Sequence, residues 1–293
     1  MTEAQRITRA LQGKWHGRYG LARCPAHGDR KPSLSLSDGA GGRLLARCMT
    51  GCDFMAVLDA LRGLGIIEGH GTVPRTDAAE LARFEAEQRR EAEKRERQAQ
   101  SVWSEALPIE GTVAEAYLRA RGITCALSDC LRFHPACWHP SAKRLPAMIA
   151  RIEGAERFAV HRTYLRPDGS GKAQAEPSKA MLGNTAGGAV RLSACPGPLV
   201  VAEGIETALS LASGLLRYPA SIWAALSTSG MMGLRLPATL GHLIVATDGD
   251  KPGSNAGIAL AERAAALGWD VSTLAAPDGC DWNDVLMKKG AAA

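Results

Sequence analysis

From Pro198 onward the sequence alternates short apolar runs with helical patterns, and this limits the possible fold more than any other feature. LVVAEG leads into the helical IETALSLASGLL and then the apolar SIWAAL. After a loop come HLIVATDGD, the helical GIALAERAAALG and DVSTLAA. Apolar strands separated by helices predict a parallel sheet covered on both faces, since a strand buried on two sides has no polar face to show. In such a sheet ligands bind beyond the carboxyl ends of the strands. Acids stand at those ends: Glu203 after LVVA, Asp248 and Asp250 after HLIVAT, and Asp281 and Asp284 in PDGCDWNDVL.

Oxygen ligands gathered without His or Cys select magnesium or manganese. Asp248 and Asp250 are two apart, so both face one metal only if the strand bends as it ends; Gly249 is expected to permit that. A single acid at a strand end is as easily a loop solubiliser. Three such motifs, each after an apolar run, point to metal-dependent phosphoryl transfer. The set resembles the Toprim domain shared by primases, topoisomerases and some nucleases, over about residues 196–290. By that resemblance Glu203 coordinates metal or manages a proton, Asp248 and Asp250 bind magnesium, and Asp281 and Asp284 support a second ion. Glu203, Asp248, Asp250 and Asp281 are then the catalytic set.

At the other end, Cys24, His27, Cys48 and Cys52 form C-x2-H and C-x3-C pairs. Two close pairs joined by a hairpin-sized insert suit tetrahedral zinc. SLSLSDGAGGRLLARC between them reads as two strands around a Gly-rich turn. So small a segment has little core, and metal binding would supply much of its folding free energy. CPAHGDRKPSLSLS with CMTGCD resembles the zinc-binding domain at the front of bacterial and phage DNA primases. The three residues between Cys48 and Cys52, where the chromosomal enzymes have two, resemble phage and plasmid versions. The resemblance implies contact with a single-stranded DNA template. Arg23, Arg30, Lys31, Arg43 and Arg47 supply charge nearby.

Residues 71–101 are charge-dense, with acid-first i,i+4 pairs such as Glu91–Arg95 and few large apolar residues, and are expected to form a solvated spacer helix. Residues 102–195 read as a basic α+β region, with a helix over Val113–Arg121 and strands in AMIARI and FAVHRTYL. Residues 132–191 carry ten Lys/Arg against four Asp/Glu. Arg162, Arg166, Lys172 and Lys179 are candidate contacts to nucleic-acid backbone or triphosphate. By position the region resembles the basic subdomain of primase catalytic cores. Cys130, His134, Cys137 and His139 are crowded, lack a hairpin, and read more simply as structural residues than as a second zinc site.

The expected architecture is therefore α/β in four parts: a zinc-ribbon-like β domain (1–70), the charged linker (71–101), a basic α+β part (102–195) and a Toprim domain (196–290). The start lacks the apolar core of a secretory signal and no run approaches membrane-spanning length, so a cytoplasmic protein with reduced thiols is expected. The tyrosines, Tyr19, Tyr117, Tyr164 and Tyr218, all precede Asp248, which argues against a topoisomerase nucleophile downstream. No G-x-x-x-x-G-K-[ST] occurs, so an ATPase-coupled nuclease is disfavoured and any replicative helicase would be a separate chain. A primase of phage, plasmid or mobile-element type, using nucleoside triphosphates, zinc and magnesium or manganese, accounts for both ends together. A Toprim nuclease and a non-catalytic zinc/Toprim DNA-binding protein of recombination or replication remain open.

Overall fold

The structure is a computed structural model that describes residues 1–29, 31–39, 43–67 and 78–291; for 78–81 and 291 it describes the backbone alone. Arg30 lies outside the described residues. Contacts divide the chain into two units, Met1–Glu80 and Leu81–Ala293.

The first unit opens with helix α1 (Glu3–Ala10), capped by Thr2 and Gln5 in a reciprocal capping box. Strands β1 (Lys14–Trp15), β2 (Gly20–Ala22), β3 (Leu34–Asp38) and β4 (Leu44–Cys48) follow, and helix α2 (Phe54–Gly63) closes the unit under an Asp53 cap. The strands form an antiparallel meander, with β3 and β4 paired from Leu34↔Cys48 to Asp38↔Leu44. This is the hairpin expected between the two ligand pairs. Its core is small: Ile7, Leu34, Leu36, Val57 and Leu61 are its larger buried side chains, and Cys24 and Cys48 sit among them. A core of that size supports a domain weakly without a further tie.

The second unit begins on helix α3 (Ala78–Glu105), which runs four residues past the end of the predicted linker and is not merely a spacer. Ala99 is fully buried, and Val102 and Trp103 pack on the following sheet. Glu96 accepts bonds from the Arg157 guanidinium at 2.9 Å and the Phe158 N–H at 3.0 Å. The small side chain of Ala99 lets the helix approach closely, and no large apolar stripe announces it. Next come β5 (Leu107–Pro108), α4 (Val113–Ala120), β6 (Leu131–Trp138), β7 (Arg144–Ile152), β8 (Ala159–Tyr164) and β9 (Lys179–Gly183). The five strands form an antiparallel sheet in chain order.

The last sheet contains β10 (Val190–Ser193), β11 (Leu199–Ala202), β12 (Ser221–Ala224), β13 (His242–Thr247) and β14 (Asp270–Ala275), in the order β10-β12-β11-β13-β14. β11 to β14 are parallel, as predicted, whereas β10 is an antiparallel edge. β10 comes from the sequence region assigned to the middle part, so that part and the Toprim-like sheet meet inside 102–195. Helices α5 (Ile205–Ser210), α6 (Thr228–Gly233), α7 (Lys251–Ala266) and α8 (Trp282–Ala291) cover the sheet. Strand residues divide by parity. Val200, Ala202, Ile222 and Ile244 face a core shared with α5, α8 and the middle sheet, while Leu199, Val201, Leu243 and Val245 face α7. The shared core makes one body of the middle and last sheets.

Candidate metal centres and a buried ion-pair cluster

In the first unit, β4 ends at Cys48 and α2 starts after Asp53, so the turn between them returns Cys52 toward Cys48. β3 pairs with β4 and carries the Cys24–His27 loop alongside. The ligand atoms of Cys24, His27, Cys48 and Cys52 all lie within 4.8 Å of one another. Among the described residues they are the only set of three or more His, Cys, Asp or Glu side chains so gathered. His27 Nδ1 stands 3.1 Å from Cys52 Sγ, so that nitrogen is the one placed to serve as a ligand. Its Nε2 lies 3.5 Å from Asp29 Oδ1 and 3.1 Å from the Thr50 hydroxyl, the outward bond that fixes a ligand imidazole's tautomer. Asp29 also accepts the Cys24 N–H at 2.9 Å and the Ser33 hydroxyl at 2.6 Å.

Burial pushes the Cys24 thiol up to about 12, with Cys48 and Cys52 adding to it. Burial also opposes a Cys48 thiolate. There, hydrogen bonds from Thr50 and from the Cys52 and Thr50 N–H groups win and bring it down to about 6. Three crowded thiols with one held near ionisation, plus an imidazole nitrogen, match the donor set and count of structural zinc. Asp29, Ser33 and Thr50 escape sequence reasoning because loop acids and hydroxyls are usually solvent groups. Lys31, Arg23, Arg43 and Arg47 are exposed.

In the second unit, β11 and β13 are parallel neighbours in register from Leu199↔Leu243 to Ala202↔Ala246. Glu203 and Asp248 therefore leave the sheet side by side. Asp250 caps α7, its Oδ1 accepting the Gly253 N–H at 2.7 Å. Asp281 and Asp284 cap α8 reciprocally: Asp281 Oδ1 accepts the Asp284 N–H at 2.8 Å, and Asp284 Oδ2 accepts the Asp281 N–H at 3.1 Å. The chain bends at Gly249 and Asp250 as expected, and Gly249 does more than permit the bend. A Cβ on it would stand 2.0 Å from the Pro277 carbonyl oxygen, and its N–H donates to Cys280 O at 2.8 Å. Glycine is required because the 277–280 loop crosses there, and that crossing delivers Asp281 to Asp248.

Burial, then the charges of Asp248 and Asp250, raise the Glu203 carboxyl above its ordinary value. Burial and Asp281 raise Asp248 likewise, against a bond from Thr207 at 3.3 Å. These carboxylates repel one another in a half-buried place. An all-oxygen, negatively charged set of this kind suits magnesium or manganese.

The basic candidates have different fates. Arg166 is exposed. Arg162 is buried and donates to the Trp138 and Met181 carbonyls at 3.0 and 3.3 Å, so its guanidinium braces the middle sheet. Lys172 and Lys179 both reach Glu206, which sequence reasoning passed over. Lys172 Nζ is 3.2 Å from Oε1, Lys179 Nζ is 3.1 Å from Oε2, and the Tyr117 hydroxyl donates to Oε1 at 2.8 Å. Burial alone would raise the Glu206 carboxyl; the two ammonium groups outweigh it and hold it well below the usual carboxylate range. The same burial, with Lys179 beside it, drives His161 down to about 4, so this imidazole is neutral.

Cys130, His134, Cys137 and His139 do not gather. Cys130 and Cys137 lie in different cores, on opposite sides of the middle sheet. His134 pairs with Glu105 at 3.3 Å, and His139 Nε2 sits 2.9 Å from the Pro177 carbonyl.

A cavity of about 670 Å³ opens between α3, the 183–188 loop and the 225–230 turn, with Arg95, Met181 and Leu226 among its lining. Leu226, one of its lining residues, donates its N–H to the Glu203 main-chain carbonyl at 2.7 Å, so the cavity shares the turn after β12 with the residue that follows β11.

Residues 198–292 match the Toprim domain family, and residues 93–192 match a domain of unknown function, DUF7146. Among solved structures, the Aquifex aeolicus primase zinc-binding and RNA polymerase domains are similar at 14% identity and a TM-score of 0.41, over 100% of this chain and 83% of that one. A DNA primase domain from Pseudomonas aeruginosa is similar at 18% identity and a TM-score of 0.40, over 62% of this chain and 69% of that one. The RNA polymerase domain of the Mycobacterium tuberculosis primase is similar at 18% identity and a TM-score of 0.32, over 62% and 60%. No curated protein sequence matches the chain. No described helix is long and apolar enough to cross a membrane. On the family match and the register of its strands, the carboxy-terminal third of the chain is a Toprim domain.

Proposed function

We propose that the chain is a DNA primase, joining nucleoside triphosphates into short oligonucleotides on a single-stranded DNA template. What supports this reading is that Glu203, Asp248, Asp250 and Asp281 all follow strands at one edge of a Toprim sheet, near enough to influence one another's charge, in a chain that also holds a Cys3His set. A Toprim domain alone fixes only metal-assisted phosphoryl transfer. The second centre favours a protein that also grips a template.

In this reading Glu203, Asp248 and Asp250 hold the catalytic ion, with Asp281 completing the set and Asp284 serving it through the α8 cap. Magnesium or manganese there neutralises triphosphate charge and acidifies a 3′-hydroxyl. Lys172 and Lys179 face the triphosphate. The 670 Å³ cavity beside Glu203 gives a strand or nucleotide room to lie. Zinc on Cys24, His27, Cys48 and Cys52 fixes a hairpin whose exposed Lys31 and Arg47 contact template phosphates, with Arg30 alongside them in sequence. The protein works in the cytoplasm on phage, plasmid or mobile-element DNA, beside a separate helicase.

The test is primer synthesis by the purified chain on templates of varied sequence, with labelled ribonucleotides or deoxyribonucleotides and magnesium, against a chelator control. Oligonucleotides a few residues long that vanish with chelator support the reading. It falls if no template yields product, or if Asp248→Ala is as active as the unaltered chain.

A further inference from the structure

We infer that Glu206 is a positioning residue, holding the ammonium groups of Lys172 and Lys179 beside the acidic edge so that they receive a triphosphate. The inference rests on the proposed nucleotidyl-transfer reading and assigns the aim of its two lysines to a residue that contacts no substrate.

Glu206 is 5% exposed and lies one turn beyond Glu203, on the first turn of α5. An ionised carboxylate so buried is costly unless fully paired. Its partners come from three separate elements: Tyr117 on α4, Lys172 in the loop before β9, and Lys179 on β9. The lysine side chains are 32% and 36% exposed, so each keeps an open side. An ammonium has three donors and Glu206 takes one from each, leaving donors for an anion. Three ionised groups with one negative charge leave a net positive centre. Thr207, the residue after Glu206, donates its hydroxyl to Asp248 Oδ1 at 3.3 Å, which places that centre alongside the metal-binding acids.

Lysine alone is a poor positioner, because its flexible four-carbon stem carries about 2 kcal/mol of rotamer entropy. A fixed carboxylate between two such stems removes that freedom before the ligand arrives. Along β9, Lys179, Met181 and Gly183 share a face by strand alternation. Met181 and Gly183 line the 670 Å³ cavity, so the same face runs from the cavity to the ammonium. A nucleotide lying in that cavity would bring its phosphates toward the lysines and Glu203.

A brace that merely joins two sheets and a brace that aims lysines make different predictions for Glu206→Asp. This change keeps the charge but withdraws the carboxylate by one methylene, so it can no longer reach both ammonium groups. Inorganic triphosphate with magnesium is titrated calorimetrically into the full-length chain, Glu206→Asp and Tyr117→Phe, with thermal midpoints measured in parallel. Tyr117→Phe removes a bond to the same carboxylate without touching a lysine, and so reports the cost of loosening the brace. The expected result is about tenfold weaker binding for Glu206→Asp, the loss of one aimed charge-assisted bond, and little change for Tyr117→Phe at a comparable midpoint. The inference is overturned if Glu206→Asp binds as tightly as the unaltered chain, if both variants lose affinity in step with stability, or if the unaltered chain does not bind triphosphate. Should Glu206→Asp fail to fold, Lys179→Met in the unaltered background must show the same loss. The binding readout needs no primer synthesis. A chain that binds triphosphate through Glu206 but makes no primers keeps this inference and loses the primase reading. A chain that makes primers, with Glu206→Asp showing an unchanged KM for nucleotide, does the reverse.

Discussion

The two candidate metal centres are built on opposite principles. The amino-terminal one brings four ligand atoms within 4.8 Å, and Asp29, Ser33 and Thr50 orient them in a unit with few large core side chains. The carboxy-terminal one stands on a sheet with a core on each face, and its acids are presented rather than gathered. In the first, an ion held by the four ligands would stabilise the fold. In the second, the fold stabilises the ligands, which repel one another and raise the Glu203 and Asp248 carboxyls. Removing a ligand should therefore have opposite effects on stability at the two sites.

The largest effect falls at the acidic edge. Asp248→Asn should lower primer synthesis by at least about a hundredfold, since it removes charge where transition-state charge is neutralised. The same substitution should leave the metal-free chain as stable or more so at neutral pH. The sign follows from linkage. A carboxyl whose pKa is raised by folding is best tolerated while protonated, so its cost is absent below the unfolded value and present above the raised one. Asparagine removes that cost. Thermal midpoints in chelator at pH 7 and pH 4 check this: the gain should appear at pH 7 and shrink at pH 4. A lower midpoint at pH 7 would break the contrast.

Cys48→Ser should behave in the opposite way. Structural zinc supplies much of the folding free energy of small metallo-domains, and removing one of four ligands forfeits most of it. The expectation is loss of one bound zinc per chain and rapid proteolysis within 1–67, while the second unit keeps its thermal transition. Chelation of the unaltered protein should reproduce the cleavage. Asp29→Ala sharpens the point, because Asp29 lies outside the four-ligand set. Losing its bonds to His27, Cys24 and Ser33 should weaken zinc affinity by about ten- to a hundredfold without abolishing it, as measured by competition with a chromogenic chelator.

How much of this was legible in sequence follows from how local each signal is. The parallel strands and their terminal acids could be read because each motif lies within about ten residues. The β3–β4 hairpin could be read for the same reason. β6 was not foreseen, since Pro135 and the bulge between His134 and Cys137 break its alternation. β10 was not placed, because four residues carry no sign of which sheet they will join. Glu206 reads as an ordinary first-turn helix acid, while its partners are 89, 34 and 27 positions away and only the fold brings them together. The bend at Gly249 can be anticipated from sequence, but the backbone crossing at Pro277, which also demands glycine there, cannot.

The smallest effect concerns Asp284 and sharpens the contrast within the acidic edge itself. The sequence resemblance groups Asp284 with the metal ligands, yet it is exposed and spends one carboxylate oxygen on the Asp281 N–H. Asp281 in turn accepts the Asp284 N–H, so the pair closes the first turn of α8 as a capping box does. Asp284→Asn keeps an oxygen for that bond and should change neither stability nor activity by more than about twofold, whereas Asp284→Ala should cost about 1 kcal/mol of stability through the lost cap. If Asp284 instead holds an ion, Asp284→Asn should raise the magnesium concentration needed for half-maximal synthesis as steeply as Asp281→Asn does. A magnesium titration of the two asparagine variants side by side separates the roles, because a cap needs only the oxygen and an ion needs the charge.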